Sequence, residues 1–434
     1  MNKKSIMSEK QEYKGTWFLP ENPEQEIAGI LYFIPNETIR LELIGSLSET
    51  NCNYIGRFNK YPIIHGVVKT KDIISKVTLF DCYAYPAGGG HNLIQDCKLR
   101  LMNYNCSYIL LGKHLTSKAD SVFNKIRVSF PYFNDWYKDN NIRFDAINDY
   151  TATFTTCNSN KYAKTYKLNN NVDLNINGYS DFYNTKPNEY YLFEDSYVEL
   201  VNTEKSNFYD LLVNIGWFKD FYSFAALTSM PFTEIFLYDY DDFEIEKGVS
   251  LFYIVEERFD KKDNILPFHH FLFSFGDIEN DFETIIKTWY DKKETSEPII
   301  QQLIASVTFK KFFKKSDFLT VIQAIEGYFC RFIGNDKKSL KDKLDAIYNI
   351  YCIDVKIIKD NKLDTNKIRE TRNYFSHLYK DDNENVCKEW KELSEMTEKL
   401  KPLLVCCILS LVGFDNDKIN YLLSNCYQFG CNFK

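Results

Sequence analysis

The sequence predicts an α+β protein, in which a β-rich N-terminal sandwich or barrel-like domain and a mixed α/β extension precede a C-terminal all-α helical bundle. A change in hydrophobic period indicates this order. Apolar residues alternate with polar ones through the first two hundred residues, whereas they recur at helical spacing in the last third of the chain. With 434 residues, 44% of them hydrophobic, the chain can fill two or three buried cores. The predicted domains are residues 1–205, 206–305 and 306–434.

Short strands separated by turn residues predict the N-terminal domain. Residues 39–43 alternate apolar and polar side chains, which is typical of a half-buried strand. They follow the apolar run 27–34, and the turn chemistry of residues 35–37 between the two runs predicts a hairpin. Strands are also predicted at residues 63–68, 73–83, 108–111, 122–130, 151–156, 172–176 and 197–201. Many short strands of this kind favour an antiparallel sandwich or an open barrel.

The extension combines both periods. Apolar residues within 208–218 recur at helical spacing after Ser206, a residue type that caps helices well. Strand-like runs return at residues 235–238 and 249–255, and Asp277 can cap a further helix. Pro298 and the polar residues near it predict an interruption, so that a domain boundary is expected near residues 300–310.

Four or five helices are predicted after this boundary. The stretch 403–412 is apolar on all sides, which is typical of a helix in the middle of a bundle. About 120 residues in so few helices predict a compact bundle. The predicted helices are 316–332, 339–350, 365–379, one that begins near Glu384 and is perturbed at Pro402, and 417–426.

Composition limits the class of protein. The most apolar stretch, 403–412, is about half as long as a bilayer-spanning helix, which needs ~20 residues. No membrane span is predicted, and the polar, charged N terminus predicts no signal peptide. The twelve cysteines form no CxxC pair and no cluster with histidines at zinc-binding spacing. We therefore expect reduced thiols in a cytoplasmic protein, with neither a metal nor another cofactor.

Charge is unevenly distributed along the chain. From Thr308 to the end there are 22 basic and 18 acidic residues, whereas the preceding part has 31 basic and 42 acidic residues. The C-terminal part is therefore better suited to contact a polyanion. The alternative, that its lysines only solvate helix faces, stays open. The candidate surface consists of Lys310, Lys311, Lys314, Lys315, Lys337, Lys338, Lys341 and Lys343.

The predicted helix 365–379 carries the residues best suited to chemistry. Each helical residue turns about 100°, so that with Ile368 at the centre of the apolar stripe His377 lies about 180° away. Asn373 precedes His377 by one turn on the same side, and Arg369 precedes Asn373 by another. His377 is therefore expected to face solvent, a cleft or a partner subunit instead of the core.

Histidine and arginine together suit a phosphodiester reaction. Histidine takes up and returns protons near neutral pH. The guanidinium of arginine is a permanent cation whose donors match phosphate. RNA carries its own nucleophile in the 2′-hydroxyl, so that the reaction needs no metal. The alternative is an incidental exposed histidine beside surface arginines, because an arginine five residues before a histidine arises by chance in roughly one chain of eight.

Residues 372–377, which read Arg-Asn-Tyr-Phe-Ser-His, resemble the RNxxxH motif of the HEPN superfamily of helical-bundle proteins, many of which are ribonucleases. The order of the helices from residue 316 onward is also similar to that of HEPN domains. The front of the chain resembles the N-terminal domain of ApeA-type antiphage proteins. The segments that carry this second resemblance are 15–20, 28–33, 39–43, 65–82 and 127–136.

The resemblance implies a metal-independent endoribonuclease of bacterial antiphage defence, which acts by abortive infection. His377 would be the general base or acid, Arg372 would bind the scissile phosphate, and Asn373 would orient either group. Arg369 and Glu326 are assigned supporting roles outside the motif. Cellular RNA would be the substrate, with transfer RNA a candidate, and the products would carry a 2′,3′-cyclic phosphate and a 5′-hydroxyl.

The resemblance also implies a homodimer or a higher homo-oligomer formed through the HEPN domain. Arg372 lies about 140° from His377 around the helix, so that a cleft built by two subunits would suit them better than one helix face. The N-terminal domain would be a sensor of a phage-derived trigger, a brake or a scaffold. The alternative function is a non-catalytic sensor or binding protein, whose bundle serves only dimerisation or partner docking.

Overall fold

The computed structural model divides the chain into two compact units. The first, which we call the β-rich unit, comprises Met1–Phe133, Asn141–Ile215 and Pro231–Asp260. The second, the helical unit, comprises Asn134–Asn140, Gly216–Met230 and Lys261–Lys434. The predicted boundaries after residues 205 and 305 stay predictions. The structure describes residues 7, 9–47, 60–70, 73–86, 101–137, 142–148, 151–156, 164–186, 189–241, 248–254, 271–308, 312–334, 337–377 and 384–429.

Six antiparallel strands of the β-rich unit close into a barrel. Their order is β5-β4-β1-β2-β3-β6, and β6 pairs with both β3 and β5, which completes the ring. The predicted alternation holds in β3, where Ile39, Leu41 and Leu43 are buried and the residues between them are half-buried. The strands are β1 (Gln11–Leu19), β2 (Asn22–Ile34), β3 (Thr38–Ile44), β4 (Lys60–Thr70), β5 (Ile73–Pro86) and β6 (Leu101–Cys106).

Further strands extend the same sheet beyond the barrel. β7 pairs with β5, and the sheet then continues in the order β7-β15-β14-β8-β13-β12-β11. A separate hairpin is formed by β9 and β10. The predicted α+β class is confirmed. The β-rich unit is a closed barrel with added strands, where the sequence predicted a sandwich or an open barrel. The bounds are β7 (Tyr108–Leu111), β8 (Val122–Ser129), β9 (Ile142–Asn148), β10 (Thr151–Thr156), β11 (Lys164–Lys167), β12 (Val172–Lys186), β13 (Glu189–Asn207), β14 (Glu234–Tyr238) and β15 (Val249–Tyr253).

Gly66 packs directly against the ring of Trp17 in the barrel. The two residues pair directly between β1 and β4, and a Cβ atom at Gly66 would lie 2.3 Å from two ring carbons of the fully buried Trp17. Gly66→Ala is therefore expected to lower the free energy of unfolding by ~1–3 kcal/mol, as overpacking does. Urea denaturation followed by circular dichroism measures this change.

The matched control is Gly216→Ala. A Cβ atom at this helical glycine meets nothing within 4 Å, and alanine costs less backbone entropy than glycine in a helix. The control should therefore raise the free energy of unfolding by about 0.5–1 kcal/mol. Equal effects of the two substitutions would contradict the packing argument.

The helical unit contains most of the helices. α1 and α2 each begin in the β-rich unit and end in the helical unit. A π-helical turn, Phe329–Ile333, follows α6 directly. The helices are α1 (Phe133–Tyr137), α2 (Phe208–Ala226), α3 (Phe275–Ile278), α4 (Phe282–Asp291), α5 (Lys293–Val307), α6 (Lys315–Tyr328), α7 (Leu340–Tyr351), α8 (Lys356–Asp360), α9 (Thr365–His377), α10 (Trp390–Leu411) and α11 (Asn416–Asn425).

Two features hold the helical unit together. Helix α10 packs against α5, α6 and α7, and residues 402–409 within it are all buried, as the apolar sequence predicts. The indole Nε1 of Trp217 donates to the backbone oxygen of Trp289 at 2.8 Å, and Trp289 returns the same bond to Trp217 at 2.9 Å. These reciprocal bonds satisfy both indole donors inside an apolar core.

The structure corrects several predicted helix boundaries. Pro298 does not interrupt the helix but is the sixth residue of α5. Helix α10 begins at Trp390 and not near Glu384. The predicted helix start at Ser339 is confirmed, since Ser339 caps α7 and its side chain accepts from the Asp342 amide. Residues 378 and 379, with which the third predicted helix ends, lie outside the described residues, and α8 was not predicted.

Candidate functional site

Helix α9 carries four of the five residues assigned to the site. Its inward face consists of Thr365, Ile368 and Thr371, which are all buried. Arg372 lies about 40° from Ile368 around the helix, on the side that faces the bundle, whereas His377 lies about 180° away. The exposures agree with this geometry: the Arg372 side chain is 25% exposed, and His377 is exposed as the last residue of the helix.

Three contacts fix the rotation of α9 in the helical unit. The Thr365 hydroxyl donates to Asp345 of α7 at 2.7 Å. The buried Thr371 hydroxyl accepts from the Cys387 amide at 3.0 Å, in the segment that leads to α10. Lys367 forms an ion pair with Glu392 of α10. Because these bonds lie on both sides of the helix, Arg372 is directed toward α6.

Arg372 is held at two of its nitrogens. Its Nη2 donates to Oε2 of Glu326 on α6 at 2.7 Å, and its Nη1 donates to Oδ1 of Asn373 at 3.1 Å. The structure therefore brings together three of the residues assigned from the sequence, and it joins them across two helices. Such charge-assisted bonds orient a guanidinium more firmly than solvent does.

Lys343 is the second cation that binds the half-buried Glu326. Its Nζ donates to Oε1 of Glu326 at 2.8 Å, and its side chain is only 5% exposed. Burial raises the pKa of Glu326, but the bonds from Lys343 and Arg372 outweigh burial and hold that pKa below its ordinary value. Burial lowers the pKa of Lys343, and the bond to Glu326 outweighs it, so that this pKa is raised. We call Lys343, Glu326 and Arg372 the charged triad.

Lys343 is the site residue that the sequence interpretation missed. It was assigned to the solvent-facing basic surface, which is wrong, because the side chain is buried. The available signal was its position at helical spacing among Leu340, Leu344 and Ile347, the apolar face of α7. Lys341, by contrast, is partly exposed and pairs with Asp345 at 3.1 Å. Residues 310 and 311 of that surface lie outside the described part of the chain.

Arg369 and His377 are not members of the charged triad. The guanidinium of Arg369 is engaged by the neighbouring Glu370, to which its Nε donates at 3.0 Å. His377 follows Arg372 by five residues, which corresponds to about 7.5 Å along the helix axis and about 140° around it. A phosphate bound at Arg372 would therefore not lie on the side of α9 that carries the imidazole of His377.

The stability of the helical unit is expected to depend on the charge of Glu326. Its pKa lies below the ordinary value of 4.5 in the folded protein. The carboxylate therefore contributes its full stabilisation above pH 4.5, and this contribution is lost as the pH falls through the folded-state pKa. Thermal unfolding midpoints between pH 7 and pH 3 should accordingly fall less steeply for Glu326→Gln than for the wild type.

Glu398→Gln is the control for this pH dependence, because Glu398 is exposed on α10 and pairs with Lys401 of the same helix. This variant should keep the wild-type slope, since exposed pairs contribute little. An unchanged slope in Glu326→Gln would show that the charge of Glu326 does not stabilise the fold.

Neither a metal-binding cluster nor a membrane helix is found in the parts of the chain that the structure covers. No three His, Cys, Asp or Glu side chains in those parts are grouped so that they could hold a metal ion. None of the helices there is both long and apolar enough to cross a bilayer. The eight described cysteines are free thiols.

Family models match almost the whole chain. The model described as ApeA N-terminal domain 1 matches residues 12–289, and the model described as Apea-like HEPN matches residues 278–418. No curated protein and no solved structure gives a significant match. The second match contains the charged triad, Asn373 and His377, and HEPN domains are generally ribonucleases. Since the first match alone spans more than half of the sequence and the second follows it in the expected order, this chain belongs to the ApeA-like family of HEPN-domain antiphage proteins.

Proposed function

We propose that this protein is a metal-independent endoribonuclease that cleaves cellular RNA, with transfer RNA as a candidate, in the cytoplasm of phage-infected bacteria. The observation that carries the proposal is the arrangement on α9. Arg372 is oriented by Glu326 and Asn373 at the surface of the bundle, and His377 is exposed on the same helix. Together they form the RNxxxH motif within the region that the HEPN model matches.

The proposed reaction is attack by the 2′-hydroxyl on the adjacent phosphate. His377 removes the 2′-hydroxyl proton as the general base, or returns a proton to the leaving oxygen as the general acid. The bond from the 2′-oxygen to phosphorus forms while the bond to the 5′-oxygen breaks. Arg372 stabilises the charge that develops on the non-bridging oxygens, and Asn373 orients the phosphate or the imidazole. The products are a 2′,3′-cyclic phosphate and a 5′-hydroxyl.

A homodimer supports this chemistry better than a single subunit. Arg372 and His377 lie about 140° apart around α9, so that one phosphate meets both groups more readily where two copies of the helix face each other. HEPN domains typically dimerise. Each cleft would then hold two histidines, of which one can act as the base and the other as the acid. A monomeric active state would contradict this part of the proposal.

The N-terminal domain is proposed to regulate the nuclease. A ribonuclease that cleaves cellular RNA must be restrained until phage infects. The part of the chain before Thr308 has 42 acidic and 31 basic residues, whereas the part after it is mildly basic. Opposite net charges favour a masking contact that a phage-derived trigger could release.

The decisive test is RNA cleavage by the full-length protein in EDTA. The purified protein is incubated with total transfer RNA, alone and in an extract of phage-infected cells that supplies a trigger. We expect cleavage in EDTA with cyclic phosphate ends, which resist phosphatase until they are opened by acid. Cleavage that EDTA abolishes would overturn the metal-free mechanism. RNA binding without cleavage under both conditions would favour the non-catalytic binding protein.

A further inference from the structure

We propose that Lys343 is a positioning residue that keeps the phosphate site at Arg372 positively charged, an inference that rests on the proposed ribonuclease function. Lys343 is buried, with 4% of its surface exposed, so that it cannot itself contact RNA. It acts through Glu326, whose second oxygen holds Arg372.

The geometry divides the Glu326 carboxylate between two cations. Oε1 accepts from Lys343 at 2.8 Å, and Oε2 accepts from Arg372 at 2.7 Å. A carboxylate paired with Arg372 alone would form a neutral pair, and its negative charge would repel a phosphate at that place. With Lys343 present, the charged triad has a net charge of about +1 at neutral pH.

The exposure of each side chain determines which member of the charged triad presents the net positive charge to solvent. The side chain of Lys343 is 5% exposed, that of Glu326 is 23% exposed and that of Arg372 is 25% exposed. Water therefore screens the Lys343–Glu326 pair weakly, and Arg372 presents the excess positive charge to solvent. Glu326 can thus orient the guanidinium without cancelling its attraction for phosphate.

A series of variants separates charge from structure. Lys343→Met changes the net charge of the triad to 0, and Glu326→Gln changes it to +2. The double variant has a net charge of +1, as the wild type does. The probe is a fluorescein-labelled single-stranded RNA of mixed sequence, bound and cleaved by the full-length protein in EDTA. We expect Lys343→Met to weaken binding about tenfold and to reduce the slope of log K against log salt by ~0.7, which is the loss of about one phosphate contact.

The double variant provides the main test of whether Lys343 acts through the charge of the triad. If Lys343 acts through the triad charge, Glu326→Gln combined with Lys343→Met should restore binding and cleavage to within about threefold of the wild type. If Lys343 only supports the fold, RNA binding by the folded variants should not follow the triad charges of 0, +1 and +2, and this result would overturn the proposal. The double variant is also the more certain to fold, because it removes both members of a buried ion pair.

Lys359→Met is the matched control, because it removes one positive charge from an exposed position on α8, outside the triad and outside the candidate basic surface. It should leave the salt slope unchanged. If Lys343→Met alone does not fold, the comparison of Glu326→Gln with the double variant decides, since the two differ only at residue 343, and equal binding of RNA by both would overturn the proposal. Failure of the wild type to bind or cleave RNA would instead overturn the proposed function together with this inference.

Discussion

His377→Ala is expected to abolish RNA cleavage, with a rate at least ~10²–10⁴-fold below that of the wild type, which is the usual contribution of general acid–base catalysis. His377 is exposed at the end of α9, so that its removal leaves no cavity in the bundle. Binding of RNA should change only a few-fold, because the charged triad remains intact. Single-turnover cleavage of labelled RNA in EDTA and a parallel binding titration measure the two quantities.

Ser376→Ala is the control for this substitution, because Ser376 is the exposed neighbour on the same turn and belongs to no assigned group. It should cleave at the wild-type rate. Arg372→Ala should lose both cleavage and affinity, since it removes the phosphate contact itself. A rate in His377→Ala equal to that of the wild type would exclude His377 as the general base or acid.

Trp217→Ala is expected to give the largest loss of stability, ~3–5 kcal/mol, which is typical for truncation of a fully buried tryptophan. Trp217 is 1% exposed, and its ring centre lies 5.1 Å from that of Trp289. The substitution removes the donor to the Trp289 carbonyl and leaves the Trp289 indole facing a cavity. Urea denaturation followed by far-UV circular dichroism, which does not depend on tryptophan fluorescence, measures the loss.

Trp390→Ala provides the matched control, because Trp390 is 67% exposed at the start of α10. Its substitution should change the free energy of unfolding by no more than ~0.5 kcal/mol. Comparable losses in the two variants would mean that the reciprocal tryptophan bonds do not stabilise the helical unit.

The confirmed part of the sequence interpretation depended on local patterns. Alternation in β3 and the apolar stretch within α10 each report burial directly, because side chains repeat every two residues on a strand and every 3.6 on a helix. The start of the helix at Ser339 was also predicted, and it depends on a local interaction, because a serine hydroxyl caps the first turn of a helix. The choice of His377 and Arg372 as site residues came from the motif and remains a prediction.

Where the interpretation was wrong or incomplete, it lacked information on contacts between residues that are far apart in the sequence. Pro298 lies inside α5, whose apolar residues 299, 300, 303 and 304 are buried, and such tertiary packing favours a helix that the local sequence did not predict. The barrel closes through pairing of β6 with β3 and β5, and nothing in a single strand specifies which edge it meets. Lys343 was assigned to solvent because a lysine is normally exposed.

The sequence by itself determined the order of the β-rich and helical parts, most of their elements, and the identity of the RNxxxH segment. Only the tertiary structure decided that Arg372 is held by Glu326 and that Glu326 is shared with a buried Lys343. Periodicity follows from the local geometry of strands and helices, so that it can be read from neighbouring residues. A buried ion pair depends on which helices meet, and here residues 17 and 46 positions apart along the chain must come together.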